Sequence, residues 1–294
     1  MPELPDLTLY VDALDRVILG HRLERVHVAG PFVLRTVEVP SRELEGREVA
    51  SVSRLGKRIV IALEGGPLVV IHLMIAGRLR WLAAGRKPPG RITLATFDFA
   101  HGRLVLTEAG TKRRAALHFL RDRGQLAELD RGGLEPLEGD LAAFAGRLRQ
   151  ENHTVKRALT DPRLFSGIGN AYSDEILHRA RLSPLVWTSR LDDATIERLF
   201  QATRAVLTEW IARLRGDTGD GFPEKVTAFR PGMAVHGRYR QPCPDCGAPV
   251  QRIRYAENET NYCARCQTGG KLLADRALSR LLREDWPRSI DEVI

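Results

Sequence analysis

Four cysteines near the carboxyl end of the chain constrain its fold more than any other feature. They form two Cys-x-x-Cys pairs, Cys243 with Cys246 and Cys263 with Cys266, separated by sixteen residues. Each pair can direct two sulfur atoms at one metal ion, and this spacing is typical of a four-thiolate zinc site. Because sulfur would fill all four positions, we expect one structural Zn2+ that holds a short finger together. A redox pair of cysteines, which would bind no metal, is the alternative.

Length and composition indicate a globular protein of about two domains with a small module. The chain has 294 residues, of which 43% are hydrophobic and 28% charged, so it can bury a core. Its start, MPELPDLTLY, has neither the basic nor the apolar segment of a signal peptide. No stretch reaches the ~20 apolar residues of a membrane helix. We therefore expect a cytoplasmic, intracellular protein with no membrane partner.

The charge balance is basic and favours a polyanionic partner. Lysine and arginine number 45 against 37 aspartate and glutamate residues, which gives a formal net charge of +8. A basic surface suits nucleic acid, because each neutralised phosphate releases counterions. Part of the charge is concentrated in residues 112–123, KRRAALHFLRDR. A solvated surface would give the same balance, so charge alone leaves both interpretations open.

Hydrophobic periodicity separates β-rich from helical segments. Apolar residues recur at helical spacing from Leu7 to Ile18, which predicts a helix directly after the amino terminus. A second apolar stripe, from Ile196 to Leu214, predicts a long helix. Short strands are predicted between them, bounded by Gly and Pro, at 26–28, 59–63, 68–73, 92–99 and 104–106.

These elements predict an α+β multidomain protein. The β-rich domain is expected to be a sandwich of two packed sheets with flanking helices. The tail, from Lys271 onward, is leucine-rich and is expected to form a short amphipathic helix. The predicted boundaries are 1–130 for the β-rich domain, 131–140 for a polar linker, 141–229 for the helical domain, 230–270 for the zinc finger and 271–294 for the tail.

The segment Ser166–Asn170, SGIGN, predicts a tight corner between two helices. Gly167 and Gly169 let the backbone approach another chain closely, and Asn170 is expected to cap the following helix. Amides at a helix start bind phosphate, and Lys156 upstream can add a charged contact. An ordinary helix-turn-helix corner has the same pattern, so the segment alone does not establish a phosphate site.

The amino-terminal proline is a second candidate for chemistry. Methionine before a small residue is normally removed, which would leave Pro2 with a free secondary amine. Such an amine can attack an aldehyde and form an iminium, and an ordinary α-amino pKa of about 7.7–8.0 keeps part of it neutral. Glu3 supplies an adjacent carboxylate for proton transfer. Many proteins begin with Met-Pro, so the neighbouring motifs must decide.

Taken together, the motifs resemble the formamidopyrimidine-DNA glycosylase/endonuclease VIII family. The similarity extends over nearly the whole chain, to about Cys266. It is carried by five segments in one order, which are MPELPDL, RLGKRIVIAL around Lys57, HLMIAGRLRW, SGIGNAYSDEIL and HGRYRQPCPDC. The resemblance implies an amino-terminal β-sandwich, a helix–two-turn–helix domain and a four-cysteine zinc finger.

The resemblance also implies roles for matching residues. Pro2 is similar to the Schiff-base nucleophile that attacks C1′ of a flipped nucleoside, and Glu3 to the acid/base that protonates the sugar. Lys57 is similar to a lysine on a β-hairpin that contacts phosphate. Asn170 and Lys156 are similar to phosphate ligands of the helix–two-turn–helix module.

The sequence departs from the 8-oxoguanine enzymes of the family in its DNA-contacting loops. Where those enzymes have GMSG, this chain has MIAG, so that either Met74 or Ile75 can fill the gap left by a flipped base. The second family loop, DPRRFG, is replaced by the basic EAGTKRR, which includes Lys112 and Arg113. The finger arginine of the family, which holds phosphate, falls on Asn258. Arg252 and Arg254 are candidates to replace it.

The implied function is base-excision DNA repair. The protein would be a bifunctional DNA glycosylase/AP lyase that removes an oxidised or otherwise damaged base through a Pro2 Schiff base, followed by β,δ-elimination. Its partner would be double-stranded DNA with a damaged base or an abasic site, bound by a monomer. A catalytically silent protein that binds damaged or branched DNA is the alternative, and a zinc-ribbon RNA-binding or transcription factor is another. Pro2, Glu3 and Lys57 together favour the enzyme, since binding alone requires no nucleophile.

Overall fold

The protein is described here by a computed structural model, which divides into two compact units. One unit comprises Met1–Arg131 with Trp210–Thr227, and the other comprises Gly132–Glu209 with Ala228–Ile294. The residues that the structure describes are 1–110, 112–224, 226–227, 229–255, 258–275, 280–283 and 286–292.

The first unit is built from strands and begins with a helix, α1, over Leu4–Ile18. A short helix, α2, spans Arg123–Ala127. The strands are β1 Arg25–Val28, β2 Val49–Leu55, β3 Arg58–Leu63, β4 Leu68–His72, β5 Gly77–Ala83, β6 Thr93–Phe99, β7 Gly102–Glu108 and β8 Ala116–Leu120. Among the described residues they form two antiparallel sheets, in the orders β1-β6-β7-β5 and β2-β3-β4-β8.

The two sheets and α1 share one hydrophobic core. Phe97 from one sheet and Phe119 from the other are each 1% exposed within it. Leu7 and Leu14 of α1 join this core because residues seven apart lie on one face of a helix. Residues 210–227 belong to the same unit, since Phe222 packs on Tyr10 with ring centroids 6.0 Å apart. The predicted sandwich of two packed sheets is confirmed.

The structure contains each predicted strand and further strands that the sequence pattern did not reveal. The additional strands of this unit are β2, β5 and β8, which lie at the edges of their sheets. Arg78 and Arg80 project from the less buried face of β5, and Arg54 and His118 similarly interrupt β2 and β8. Such strands lack the continuous apolar run by which buried strands are recognised.

The second unit contains helices followed by the cysteine-rich finger. Helix α6 begins in this unit and ends in the first one. The helices are α3 Leu141–Gln150, α4 Val155–Thr160, α5 Asn170–Arg179, α6 Asp193–Thr218 and α7 Ala264–Thr268, and the finger strands are β9 Gln251–Tyr255 and β10 Asn258–Tyr262. Short 3-10 turns in the described part of the chain include Pro31–Val33, Ser41–Glu43, Gly90–Ile92, Thr188–Arg190 and Ile290–Glu292.

The first residues of the tail differ from the helix predicted for it, whereas residues 280–282, which include Leu281 and Leu282, are helical. Residues 271–275 are not helical, because Lys271 forms an antiparallel bridge with Ser289 and the Leu272 N–H donates to the carbonyl of Arg288 at 3.0 Å. Leu278, part of the predicted apolar stripe, lies outside the described residues. The first tail residues therefore pair with a later segment of the tail instead of forming a helix.

Candidate active site and nucleic-acid contacts

The amino terminus is held at the start of α1. Pro2 is buried, and Glu3 is 3% exposed. Glu3 is the N-cap of the helix, where its backbone N–H donates to Oδ2 of Asp6 at 2.9 Å and its side chain accepts from the Asp6 backbone. This capping box keeps a carboxylate at the positive end of the helix dipole. Since α1 packs into the core, Pro2 and Glu3 occupy a rigid position.

The surroundings of the amino terminus favour an uncharged amine. Burial lowers the pKa of the α-amino group at Met1, and Arg78 and Lys57 lower it as well. Glu3 and Asp6 act in the opposite direction and raise this pKa, but the net shift is downward. An amine with a lowered pKa has more of its nucleophilic neutral form near neutral pH.

Lys57 lies in the tight turn between β2 and β3. Leu55 pairs with Arg58 across the hairpin, and Gly56 begins the turn at a φ of 58°, which glycine adopts without strain. Burial lowers the pKa of the Lys57 ammonium, and Glu3 raises it, so Lys57 and Glu3 are within electrostatic reach of each other. Among the described residues no group accepts a hydrogen bond from its Nζ. Pro2 and Glu3 are consecutive in the chain, so Lys57 acts electrostatically on the segment that contains both.

The loop between β4 and β5 presents one exposed apolar side chain. Gly77 donates to the carbonyl of Leu73 at 2.9 Å, and a Cβ at Gly77 would lie 2.3 Å from that oxygen, so the turn requires glycine. Met74 is half-buried with a φ of 52°, whereas Ile75 is 55% exposed. Arg78 Nη1 donates to the Ile75 carbonyl at 3.1 Å and steadies the loop. Of the two expected wedge residues, Ile75 is the one that projects into solvent.

The loop between β7 and β8 is closed by a buried carboxylate. Glu108 is 1% exposed, and its oxygens accept the backbone N–H groups of Arg114 and Ala115, each at 3.1 Å. Lys112 and Arg113 are exposed, and Arg113 Nη2 donates to the carbonyl of Arg91 at 2.7 Å. Thr111 lies outside the described residues. The described part of this loop therefore carries positive charge where the 8-oxoguanine enzymes have DPRRFG.

The glycine-rich corner leads directly into α5. Gly167 has a φ of 78°, and Gly169 is the N-cap of the helix. The expectation that Asn170 caps α5 is wrong, because Asn170 is the first helical residue. Its Nδ2 instead donates to the carbonyl of Glu259 on β10 at 2.7 Å. The side chain thus joins the start of α5 to the finger hairpin.

Lys156 is tied into a polar network around Asp174. Its Nζ donates to the Asn170 carbonyl at 3.0 Å and forms an ion pair with Asp174, which is 1% exposed. The other Asp174 oxygen accepts from Nδ1 of His236 at 2.8 Å and from the Asn261 backbone at 3.2 Å. Because Asp174 is buried, these partners are needed to offset its desolvation. Lys156 therefore also serves to hold α5 against the finger.

Sequence reasoning did not single out Asp174 or its neighbour Glu175. Glu175 is 5% exposed and accepts three consecutive backbone N–H groups, from Ala234, Val235 and His236, at 2.6, 2.9 and 2.9 Å. This carboxylate fixes the segment that leads into the finger. The only signal in the sequence was an Asp-Glu pair inside a predicted helix, and the structure adds that every residue from 171 to 178 is buried.

The four cysteines converge as their spacing predicted. All four sulfur atoms lie within 4.8 Å of one another, with 3.9 Å between Cys243 and Cys266 and 3.4 Å between Cys246 and Cys263. Sulfur atoms bound to one tetrahedral zinc at about 2.3 Å are about 3.8 Å apart. The donor set therefore fits a zinc ion with no open position. The His178 ring packs on this cluster, with Nε2 at 3.3 Å from the Cys243 sulfur.

Comparisons with known proteins establish the family to which this chain belongs. The formamidopyrimidine-DNA glycosylase N-terminal domain matches residues 1–122, its H2TH domain 133–220, and the zinc finger found in FPG and IleRS 240–269. The formamidopyrimidine-DNA glycosylase of Thermus thermophilus is 35% identical over 285 residues, which cover 92% of this chain and 100% of that protein. The chain belongs to the formamidopyrimidine-DNA glycosylase family. Its predicted fold class is thereby confirmed.

Solved structures of Lactococcus lactis FPG are similar to this glycosylase family member over most of its length. A variant in complex with Fapy-dG-containing DNA has a TM-score of 0.81 and 25% identity, and covers 91% of this chain and 100% of its own. The wild-type protein with DNA containing an oxidized pyrimidine has a TM-score of 0.80 and 26% identity, with the same coverage.

Family membership confirms the cofactor prediction as well. The finger model spans Cys243, Cys246, Cys263 and Cys266, so the finger holds one structural zinc. As expected from the sequence, four thiolates leave no open position on the metal. In the described part of the chain, no helix combines the length and apolar character needed to cross a bilayer.

Proposed function

We propose that Pro2 is the nucleophile, Glu3 the proton-transferring acid and Lys57 a phosphate-contacting lysine of this enzyme. As a member of its family, the protein is a DNA glycosylase/AP lyase of base-excision repair. The observation that carries the residue assignment is the burial of Pro2 and Glu3 at the start of α1, with the Lys57 ammonium within electrostatic reach of Glu3.

The proposed reaction begins once Met1 has been removed and the Pro2 amine is free. The Pro2 nitrogen bonds to C1′ of the flipped nucleotide as the glycosidic bond breaks, and the base leaves with that electron pair and the amine proton. Glu3 protonates the sugar ring oxygen, so the ring opens to a Pro2–C1′ iminium. Loss of a C2′ proton then expels the 3′ phosphate, a second elimination expels the 5′ phosphate, and water releases Pro2.

Lys57 suits a contact with the DNA phosphate beside the reacting sugar. Its ammonium is half-buried and makes no hydrogen bond to a described residue, which leaves its donors for a ligand. A phosphate would supply the partner that favours the charged form despite burial. Fixing this phosphate would hold C1′ near Pro2, and such positioning is a large part of catalysis.

The remaining predicted residues are proposed to hold the distorted DNA. Ile75, rather than Met74, would fill the gap left by the flipped base, since a wedge must be apolar and exposed. Lys112 and Arg113 would contact phosphates. The backbone at Gly167 and Gly169 would bind another phosphate at the start of α5, with Asn170 and Lys156 beside it.

We further propose that one chain binds one duplex as a monomer, which light scattering of the complex would test.

Borohydride trapping on duplex DNA with one abasic site tests the Pro2 assignment. The abasic site already presents an aldehyde, so the experiment does not require knowledge of the excised base. We expect a covalent adduct with the native protein and none with Pro2→Gly or with an amino-terminal tag. Pro5→Gly makes the same change three residues further along and should retain the adduct. Binding without an adduct, with Met1 removed, would contradict the assignment and favour a protein that only recognises damaged DNA.

The damaged base itself is proposed to be oxidised. Lactococcus lactis FPG has been solved with DNA containing Fapy-dG and with DNA containing an oxidized pyrimidine. The basic loop closed by Glu108 replaces a loop of the 8-oxoguanine enzymes, so we expect oxidised pyrimidines to be excised at least as well as 8-oxoguanine. Single-turnover excision rates on duplexes that differ only in the lesion would decide this, and a strong 8-oxoguanine preference would contradict it.

A further inference from the structure

The finger hairpin has an uncharged residue, Asn258, where the family resemblance implies a phosphate-binding arginine. Asn258 begins β10 at the position of the family arginine, and its side chain is exposed and uncharged. An arginine contributes to phosphate binding through charge-assisted hydrogen bonds, which an amide cannot replace. A finger that binds the DNA backbone without this arginine therefore needs another cation close by.

The neighbouring strand supplies two such cations. Arg252 and Arg254 are two residues apart on β9, so their side chains leave the same face of the hairpin. Both guanidinium groups reach Oε2 of Glu259, at 3.2 Å for Arg252 and 3.3 Å for Arg254. Two positive charges converge on one carboxylate, so a net positive charge remains. The Arg254 side chain is 62% exposed and the Arg252 side chain 29%.

An aromatic ring orients Arg252, one member of this pair. The guanidinium of Arg252 lies 4.0 Å from the ring centroid of Tyr239, and that of Arg240 lies 5.2 Å from the same centroid. Stacking on the face of a ring restricts a guanidinium while leaving its N–H groups, which lie in the guanidinium plane, able to donate. Arg252 is thus held in place before any ligand arrives, which reduces the entropy cost of binding.

The tail, which lies beyond the residues matched by the family finger model, makes hydrogen bonds and apolar contacts with the finger hairpin of β9 and β10. Asp275 is 3% exposed, and its Oδ2 accepts the backbone N–H of Arg254 at 2.7 Å. The Leu273 N–H donates to the Tyr262 hydroxyl at 2.8 Å, on the partner strand β10. Leu272 and Ile290 add an apolar contact with Tyr262. The family model ends at residue 269, so these contacts come from a segment outside it.

We propose that Arg252 and Arg254 form a phosphodiester-binding fork that replaces the missing tip arginine, and that Asp275 of the tail is its positioning residue. Glu259 holds the two guanidinium groups side by side in the absence of DNA. The ligand is a phosphate of the DNA backbone, so the fork contributes affinity without sequence preference. The proposal rests on DNA binding by the family and not on the chemistry assigned to Pro2.

The salt dependence of binding tests the fork. The probe is a duplex with one non-cleavable abasic-site analogue, and the dissociation constant is measured at several salt concentrations. Each of Arg252→Ala and Arg254→Ala is expected to weaken binding about ten-fold and to reduce the slope of log affinity against log salt by about 1. Arg149→Ala is the matched control, since Arg149 is also an exposed arginine paired with a carboxylate, Asp193. It should change neither quantity.

A variant that restores binding distinguishes loss of the fork from misfolding of the finger. Adding Asn258→Arg to the Arg252→Ala/Arg254→Ala double variant should restore about one unit of slope, because it returns a cation to the tip. Zinc content is measured for every protein. If the double variant loses zinc, the slope of log affinity against log salt is measured for Arg254→Gln alone. The Arg254 side chain is largely exposed, so this change should not disturb the finger fold. An unchanged slope in a variant that keeps its zinc overturns the fork.

The tail requires its own variant. Asp275→Ala is expected to weaken binding a few-fold with an unchanged slope, because both arginines keep their charge while β9 loses a backbone contact. Affinity equal to that of the native protein would remove Asp275 from the proposal. Borohydride trapping of the native protein and of the Arg149→Ala control should give the Pro2 adduct whether or not the fork exists, so failure of the fork and failure of the Pro2 assignment give different results.

Discussion

The sandwich of the first unit and the zinc finger of the second differ in the amount of apolar core that each contains. Among the described residues, the sandwich core has 28 buried members, whereas the core cluster around the finger cysteines has five, two of them cysteines themselves. Burial of apolar surface therefore stabilises the first region, and metal coordination stabilises the second. Pro2, Glu3 and Lys57 belong to the first region, and the proposed phosphate fork belongs to the second. The proposed catalytic residues thus depend on apolar burial for their positions, whereas the proposed phosphate-binding residues of the finger depend on metal coordination.

Removing the metal should separate the two regions most completely. Structural zinc contributes about 10–16 kcal/mol to small finger peptides. We expect Cys263→Ser, or a strong chelator, to abolish the finger fold while the sandwich stays folded. Hydrogen–deuterium exchange would show loss of protection in β9 and β10 but not in β6 and β7. Zinc added back after chelation is the control, and equal loss of protection in both regions would contradict the comparison.

A core truncation should have the converse effect. Phe119 is 1% exposed between the sheets, so Phe119→Ala is expected to cost about 3–5 kcal/mol and to leave the zinc content unchanged. Phe144→Ala is the matched control, since Phe144 is 0% exposed in the other unit. Chemical unfolding with zinc analysis would measure both. Zinc loss from Phe119→Ala would show that the regions are not independent.

Acid should weaken the sandwich through His72. Burial lowers the pKa of His72 from 6.5 to about 4, and Arg58, Lys57 and His118 lower it in the same direction. Between these values the unfolded chain binds more protons than the folded one, so the free energy of unfolding decreases as the pH falls. The loss is at most about 3 kcal/mol and is complete below about pH 4. Unfolding curves of the native protein and His72→Gln would converge at low pH, and parallel curves would contradict the prediction.

Replacing a helix-capping aspartate should lower stability less than any of the changes above. Because each unit contains such a cap, the two units can be compared directly. Asp140 caps α3 by accepting the Ala143 N–H at 2.8 Å, and Asp122 caps α2 by accepting the Gln125 N–H at 3.1 Å. Each change to alanine is expected to cost about 1 kcal/mol. Exchange protection should fall near the altered helix alone. A larger effect spread over a whole unit would indicate stronger cooperativity than the separate cores suggest.

The sequence predicted the features that depend on local pattern. The cysteine spacing predicted the zinc site, and helical periodicity predicted α1 and α6, because each signal lies within a short stretch of chain. Edge strands such as β5 were missed, since Arg78 and Arg80 stand on its less buried face. Asn170 was assigned to a cap, but its partner is a carbonyl 89 residues away, which no local pattern encodes. Asp174 and Glu175 were missed for the same reason.

The assignments of individual DNA-contacting residues stay predictions. Resemblance supplied Pro2, Glu3 and Lys57, and the fold places Lys57 within electrostatic reach of Glu3. The resemblance also named Arg252 and Arg254 as candidates to replace the finger arginine, but it did not supply their arrangement, because their shared contact with Glu259 and that of Arg252 with Tyr239 exist only in the folded finger. The tail contributes through Asp275, which the expected amphipathic helix would not have suggested.

The hydrogen bond from Asn170 to the Glu259 carbonyl has a further consequence for how DNA is selected. It joins the start of α5 to the finger hairpin, so two proposed phosphate-binding groups are held at a fixed separation by the protein. A duplex whose phosphates do not already have that separation can reach it by bending or changing its groove width. The energy of this deformation depends on base steps that the protein does not touch, and it is lowest where a lesion has already weakened stacking. A duplex that is easily deformed at the lesion would therefore be bound more favourably even before any base is flipped.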